Sequence, residues 1–145
     1  MGVLMRTLAD PARRPLVIAD ASAVIDSEVA SKSGLRGMGL KAGYKAFKAI
    51  RPGIVPLALE RLLPHFAPSI DPLWEEAVAS GNPKKWFADH DAQVADALLA
   101  VTDGMAKRAQ NAVMIRIYNG LRGQARDHVL AGVPRIPELI ARHVG

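Results

Sequence analysis

Apolar residues recur every three or four positions along most of the chain, and no segment alternates as a strand would. Val17, Ala21, Val24, Ile25 and Val29 share one helical face, with Asp20, Asp26 and Ser27 off it. Asp10-Pro11 reads as an N-cap with proline behind it. Pro15 restricts the start, so the regular pattern predicts a helix from about Leu16 to Ser33-Gly34. The glycine-rich stretch 34–39 reads as a turn and hinge. A third helix is expected over 40–50, with Leu40, Tyr44 and Phe47 as its seam and Arg51-Pro52-Gly53 as its stop. Pro56 opens a further helix through Leu63. Pro64, Pro68 and Pro72 then fall at intervals of four. Prolines so spaced predict kinks, short turns around His65 and Phe66, and a new helix holding Trp74. Ser80-Gly81-Asn82-Pro83 is a boundary, with Asn82 as cap and Pro83 at the first helical position. The clearest long helix spans 92–109, with Val94, Leu98, Val101 and Met105 on its core edge. Residues 111–121 read as helical, with Gly120 and Gly123 around the end. Residues 124–144 give one or two last helices broken at Pro134 and Pro137. The prediction is an all-α fold: an irregular bundle of about six to eight helices with proline-broken connections, a single domain over residues 1–145.

A length of 145 residues, half of them hydrophobic, is enough for one domain with a real core. Cysteine is absent, which excludes disulfides, thiolate catalysis and cysteine-ligated metal sites. This suits a reducing cytoplasm. Neither a secretory signal nor a membrane span is legible; the apolar run 16–19 is cut by Asp20.

Charge changes the picture more. The net charge is +5, which permits polyanions and anionic membranes as partners. Residues 71–103 carry seven acids against Lys84 and Lys85, while residues 104–145 carry seven bases against Asp127 and Glu138. Residues 29–59 hold six basic residues and no acid: Lys32, Arg36, Lys41, Lys45, Lys48 and Arg51. Lys41, Lys45 and Lys48 form one stripe on a helix. With Arg36, Arg51, Tyr44 and Phe47, that stripe is the candidate site for an acidic partner, a lipid phosphate or, less well, nucleic acid. Its plain alternatives are a solvated face, or docking on the Asp89, Asp96 and Asp103 stripe of the long helix.

Glu28 points into the apolar face of its helix. A carboxylate there must be paired, hydrogen-bonded or protonated. Lys32, four residues on, is the nearest partner, and Lys41 or Lys45 could reach it from the next helix. A structural salt bridge is the simpler reading; a general acid with a raised pKa is the sharper one. Residues 34–39 lack the spacing and the preceding strand of a phosphate loop. The Gly-Leu-Arg-Gly tetrad at 34–37 matches the clamping loop of KH domains, which needs a sheet. Close helix packing is expected at Gly43. His65, His90, His128 and His143 form no paired ligand motif. Asp89-His90-Asp91 cannot all ligate one ion from adjacent helical positions. No catalytic constellation, metal site or cofactor motif is legible.

Several strings occur together: Asp10-Pro-Ala-Arg-Arg-Pro15, Glu28-Val-Ala-Ser-Lys-Ser-Gly34, Lys41-Ala-Gly-Tyr-Lys45, Lys48-Ala-Ile-Arg-Pro-Gly53 and Ala95-Asp-Ala-Leu-Leu-Ala-Val-Thr-Asp103. In these the chain resembles a family of small, all-helical bacterial proteins of unknown function, mainly actinobacterial. The resemblance covers most of the chain and implies a stand-alone intracellular helical protein, with no activity or cofactor attached. Three functional classes stand beside it. The first is a non-catalytic binding protein whose basic helix meets an acidic protein or anionic surface, at the inner membrane face. The second is a helical carrier with an apolar small molecule in its aliphatic core. The third and least favoured is an enzyme, for which Glu28 is the residue to watch.

Overall fold

The computed structural model describes residues 2–144 and has eight helices and no strand among them. They are α1 (Val3–Ala9), α2 (Arg14–Ala30), α3 (Gly34–Lys48), α4 (Ile54–Ala79), α5 (Pro83–Asp89), α6 (Asp91–Arg108), α7 (Ala112–Gly132) and α8 (Arg135–Val144). The all-α expectation holds, as do the boundaries around α5, α6 and the start of α7. Asn82 accepts the Lys85 N–H at 3.1 Å, and Asn111 accepts from Val113 and Met114 at 2.9 and 3.1 Å. These side chains satisfy first-turn donors that lack an intrahelical partner.

Four local expectations are corrected. Asp10 does not cap α2. It ends α1 and folds an Asx turn, its carboxylate accepting the Ala12 N–H at 2.9 Å. The glycine stretch is not a separate turn either. Gly34 alone takes a left-handed conformation, φ 74°, and α3 begins there. Gly37 is helical and pressed against the end of α2: a Cβ there would stand 2.8 Å from the Lys32 carbonyl carbon. The glycines therefore serve close packing as well as chain reversal. At Gly43 a Cβ would meet Leu121 at 2.8 Å, so α3 packs closely on α7, as expected. Nor does the helix run end at Gly120 or Gly123; α7 continues to Gly132.

The fourth correction concerns α4, which runs unbroken through Pro64, Pro68 and Pro72. At spacings of four, the prolines fall on one side of the helix, and Pro68 and Pro72 are exposed. The opposite side buries Leu59, Ala67, Ile70, Leu73, Trp74 and Ala77. Tertiary packing on that side outweighs the propensity cost on the other. Proline at 64 leaves the Glu60 carbonyl without its helical donor; the Arg14 Nη2 donates to it at 3.1 Å instead.

Helix α4 touches α1, α2, α3, α5 and α6 and belongs to two separate hydrophobic cores. One joins its C-terminal half (Ile70, Leu73, Trp74, Ala77) to Phe87, Val94, Ala95, Val133 and Ile140. Trp74 and Phe87 meet edge to face at 6.1 Å. The other joins its N-terminal part (Ile54, Val55, Leu59) to Ala21, with Ile18, Ile25, Tyr44, Phe47 and Leu139 packed against it.

Candidate functional site

The space between the two cores is a cavity of about 400 Å³. Close-packed interiors contain few voids larger than a water, and this one lies within the usual range of about 300–1,000 Å³ for small-molecule sites. Its wall is aliphatic. Helix α2 contributes Val17, Ala21, Val24, Ile25 and Val29, the same face that the sequence periodicity assigns to the interior. Helix α4 contributes Leu59, Leu63, Phe66, Ala67 and Ile70; α8 contributes Ile136, Leu139, Ile140 and Val144. Leu4 and Leu8 of α1, Leu40 of α3, Leu98 of α6 and Val129 of α7 complete it. From Val17 to Val29 the lining follows α2 over about 18 Å, at 1.5 Å per helical residue. The space is elongated.

Five polar side chains reach this lining: Thr7, Glu28, Lys32, His128 and His143. Two are internally engaged, Thr7 on α1 and His143 on α8. The Thr7 hydroxyl donates to the Val3 carbonyl at 2.8 Å. The His143 Nε2 lies 2.8 Å from Asp20, which also takes two hydrogen bonds from Arg142, at 2.8 and 3.1 Å. The Arg142 hydrogen bond holds the Asp20 carboxyl below the usual range, against a smaller effect of burial.

The other end of α2 carries Glu28 between two cations. Lys32 Nζ lies 2.7 Å from Oε2, and Arg135 Nε donates to Oε1 at 2.7 Å. Burial pushes the Glu28 carboxyl upward, but the Lys32 and Arg135 hydrogen bonds together outweigh it, and the group stays ionised below its ordinary value. The pairing with Lys32 is as the sequence suggests. The second partner comes from α8, not from Lys41 or Lys45. Beside them stands His128 of α7. Its Nε2 is shielded from solvent and meets no hydrogen-bond partner among the described residues. Burial first, and the Lys32 charge second, lower the His128 pKa, so the ring is neutral.

The basic stripe lies elsewhere, on the outside of α3. Lys41, Lys45, Lys48, Arg36 and Arg51 are exposed. Arg36 pairs with Asp127 at 2.8 Å, and Lys48 sits 4.0 Å from Asp26 and 4.9 Å above the Tyr44 ring. Tyr44 and Phe47 turn inward onto the second core. The Tyr44 hydroxyl donates to Asp26; burial and that carboxylate raise its pKa. The acidic stripe takes other partners: Lys85 for Asp89, Arg126 for Asp96, Arg122 for Asp103. It does not meet Lys41, Lys45 or Lys48. On the outward face of α3, beside Lys41 and Lys45, Leu35 and Met38 are 89% and 66% exposed.

His128 and Arg135 are the site residues that sequence reasoning leaves out. Each lies about one hundred positions from Glu28, in the second half of α7 and at the start of α8. No local spacing links them.

A model described as a family of unknown function (DUF6918) matches residues 4–144, and the chain belongs to that family. No curated protein and no solved structure matches it.

Proposed function

We propose that this family member is a non-catalytic carrier that holds an apolar small molecule between its two cores. The observation behind this reading is the elongated aliphatic cavity of about 400 Å³. A water needs two to four polar partners to be held in such a space, and these walls offer few. A guest with an apolar body would cover these aliphatic walls from water, at roughly 25 cal/mol per Å² of apolar surface buried. An enzymatic reading has less support: Glu28, pinned between Lys32 and Arg135, is a poor proton donor.

The test uses delipidated protein and the uncharged fluorophore N-phenyl-1-naphthylamine. Saturable uptake, abolished when Ala67→Phe fills the cavity in a protein that still folds, is the expected result. No uptake by the parent protein would sink the proposal.

A second reading concerns where such a carrier works. Leu35 and Met38 project from a face whose neighbours Lys41 and Lys45 have no acidic partner among the described residues. That combination suits peripheral contact with an anionic lipid surface, apolar side chains entering and lysines meeting headgroups. On this reading the protein works at the inner membrane face. An acidic protein partner is the alternative for the same face. Nucleic acid is the weaker alternative, because Tyr44 and Phe47 are turned onto the core and leave no stacking platform. Co-sedimentation with anionic and neutral vesicles at low and high salt tests it. Binding to neutral vesicles as strong as to anionic ones would refute the electrostatic part.

A further inference from the structure

The cavity is apolar along its length but has one polar end, and there the donors outnumber the acceptors. Glu28 offers two oxygens, and each already accepts a bond, from Lys32 and from Arg135. Lys32 carries three N–H donors and is 15% exposed; its bond to Glu28 leaves two. The buried Nε2 of His128 is unpartnered and lines the same space. The charges there are also uneven. Lys32 and Arg135 give two positive charges against one on Glu28, and the neighbouring Arg36–Asp127 pair adds nothing net. Arg135 stands outside the lining and is 39% exposed, so the unused Lys32 donors and His128 Nε2 call first for a hydrogen-bond acceptor, and the surplus cation favours one that carries a negative charge.

We infer that the guest is a single-chain monocarboxylate, with its carboxylate at Lys32 and His128 and its chain lying along α2. One oxygen accepts from Lys32 Nζ and the other from the Nε2–H of neutral His128. The elongated shape favours one chain over a fused-ring body. At about 30 Å³ for a water-sized group, the volume admits a chain of on the order of a dozen carbons. A phosphate head is a poorer match, because it brings more charge than the single surplus there. This assignment rests on the carrier reading, and the experiment separates the two.

Displacement of N-phenyl-1-naphthylamine is measured with dodecanoate, dodecan-1-ol and dodecyl phosphate, which share one chain and differ in the head. In the parent protein, dodecanoate should displace the probe at a concentration roughly tenfold or more below that for the alcohol. That is the scale of one charge-assisted hydrogen bond. Lys32→Met and His128→Phe should each reduce this preference, the loss falling on dodecanoate more than on the alcohol. Lys32→Arg should keep it. Glu28→Gln removes the competing carboxylate and should sharpen it, so a gain as well as a loss is required. Equal displacement by dodecanoate and dodecan-1-ol overturns the head-group assignment and leaves the carrier standing. A preference for dodecyl phosphate overturns the carboxylate. Failure of the parent to take up the probe removes the carrier reading and this inference with it.

Discussion

Asp71 of α4 accepts the backbone N–H of Leu4 at 2.7 Å, across 67 positions of sequence. Its second oxygen takes the Met5 N–H at 3.3 Å. Helix α1 has no side-chain cap of its own, so this buried carboxylate serves as one. Asp71→Ala should cost about 1–2 kcal/mol, the upper range for a lost cap. Urea denaturation measures the loss, and amide exchange should localise it to α1. Because Leu4, Thr7 and Leu8 line the cavity, the same variant should also weaken probe uptake. An unchanged stability would show that α1 is held by apolar contact alone.

Two glycines about 3 Å apart along the axis of α3 should respond oppositely to alanine. At Gly37 the new methyl would meet the Lys32 backbone, which cannot swing aside, at 2.8 Å. Overpacking of that kind costs typically about 1–3 kcal/mol. At Gly39 nothing lies within 4 Å. There the substitution should stabilise by up to about 1 kcal/mol through helix propensity. Thermal melts of Gly37→Ala and Gly39→Ala provide the comparison; equal shifts of the same sign would contradict the packing at the α2–α3 corner.

Acid should weaken the fold in two steps. His128 is less basic folded than unfolded, because burial and Lys32 oppose its protonation. The unfolded chain therefore binds this proton more readily. Stability is lost as pH falls below about 6.5, its ordinary value, towards the folded value. Asp20, Glu28 and Asp103 are shifted down as well, in the carboxylate range. Hydrogen bonds from Arg142 and Arg122 dominate at the aspartates; at Glu28 the two cations overcome burial. The stability they contribute is present above their unfolded values and lost as pH falls through the folded ones. Urea midpoints measured against pH should show both steps in the parent. His128→Phe should erase the upper step only; persistence of that step would assign it to another group.

The outward face of α3 makes a separate prediction. Lys41→Glu, Lys45→Glu and Lys48→Glu together should abolish vesicle binding without changing the urea midpoint by much, since only Lys48 has even a loose partner, at 4.0 Å from Asp26. Leu35→Ser with Met38→Ser should weaken binding in high salt, where the charge effect is screened and apolar insertion remains. If the serine variant binds as the parent does, the lysines act alone.

The periodicity of Val17, Ala21, Val24 and Ile25 locates one cavity wall in the sequence, and the i, i+4 spacing of Glu28 and Lys32 locates half of the polar end. What a sequence pattern reports is which face of a helix avoids water. It does not report whether the space facing it is filled. The prolines of α4 mislead for a related reason: their local cost is legible, whereas the packing of Ala67, Ile70 and Trp74 that overrides it is not. Asp71, His128 and Arg135 act on residues far away in the chain, and only the arrangement of α1, α7 and α8 gives them their roles.

The prolines of α4 have one more consequence. Pro64, Pro68 and Pro72 cover the same part of the helix that supplies Phe66, Ala67 and Ile70 to the cavity wall. Three rungs of its ladder are already missing there, all from one side, so bending that side breaks fewer main-chain hydrogen bonds than in an ordinary helix. The longest helix of the bundle thus has its fewest main-chain hydrogen bonds at the level of the cavity and its densest packing in the two cores it joins. On the carrier reading, guests of different girth would be accommodated by bowing this one helix while both cores stay intact.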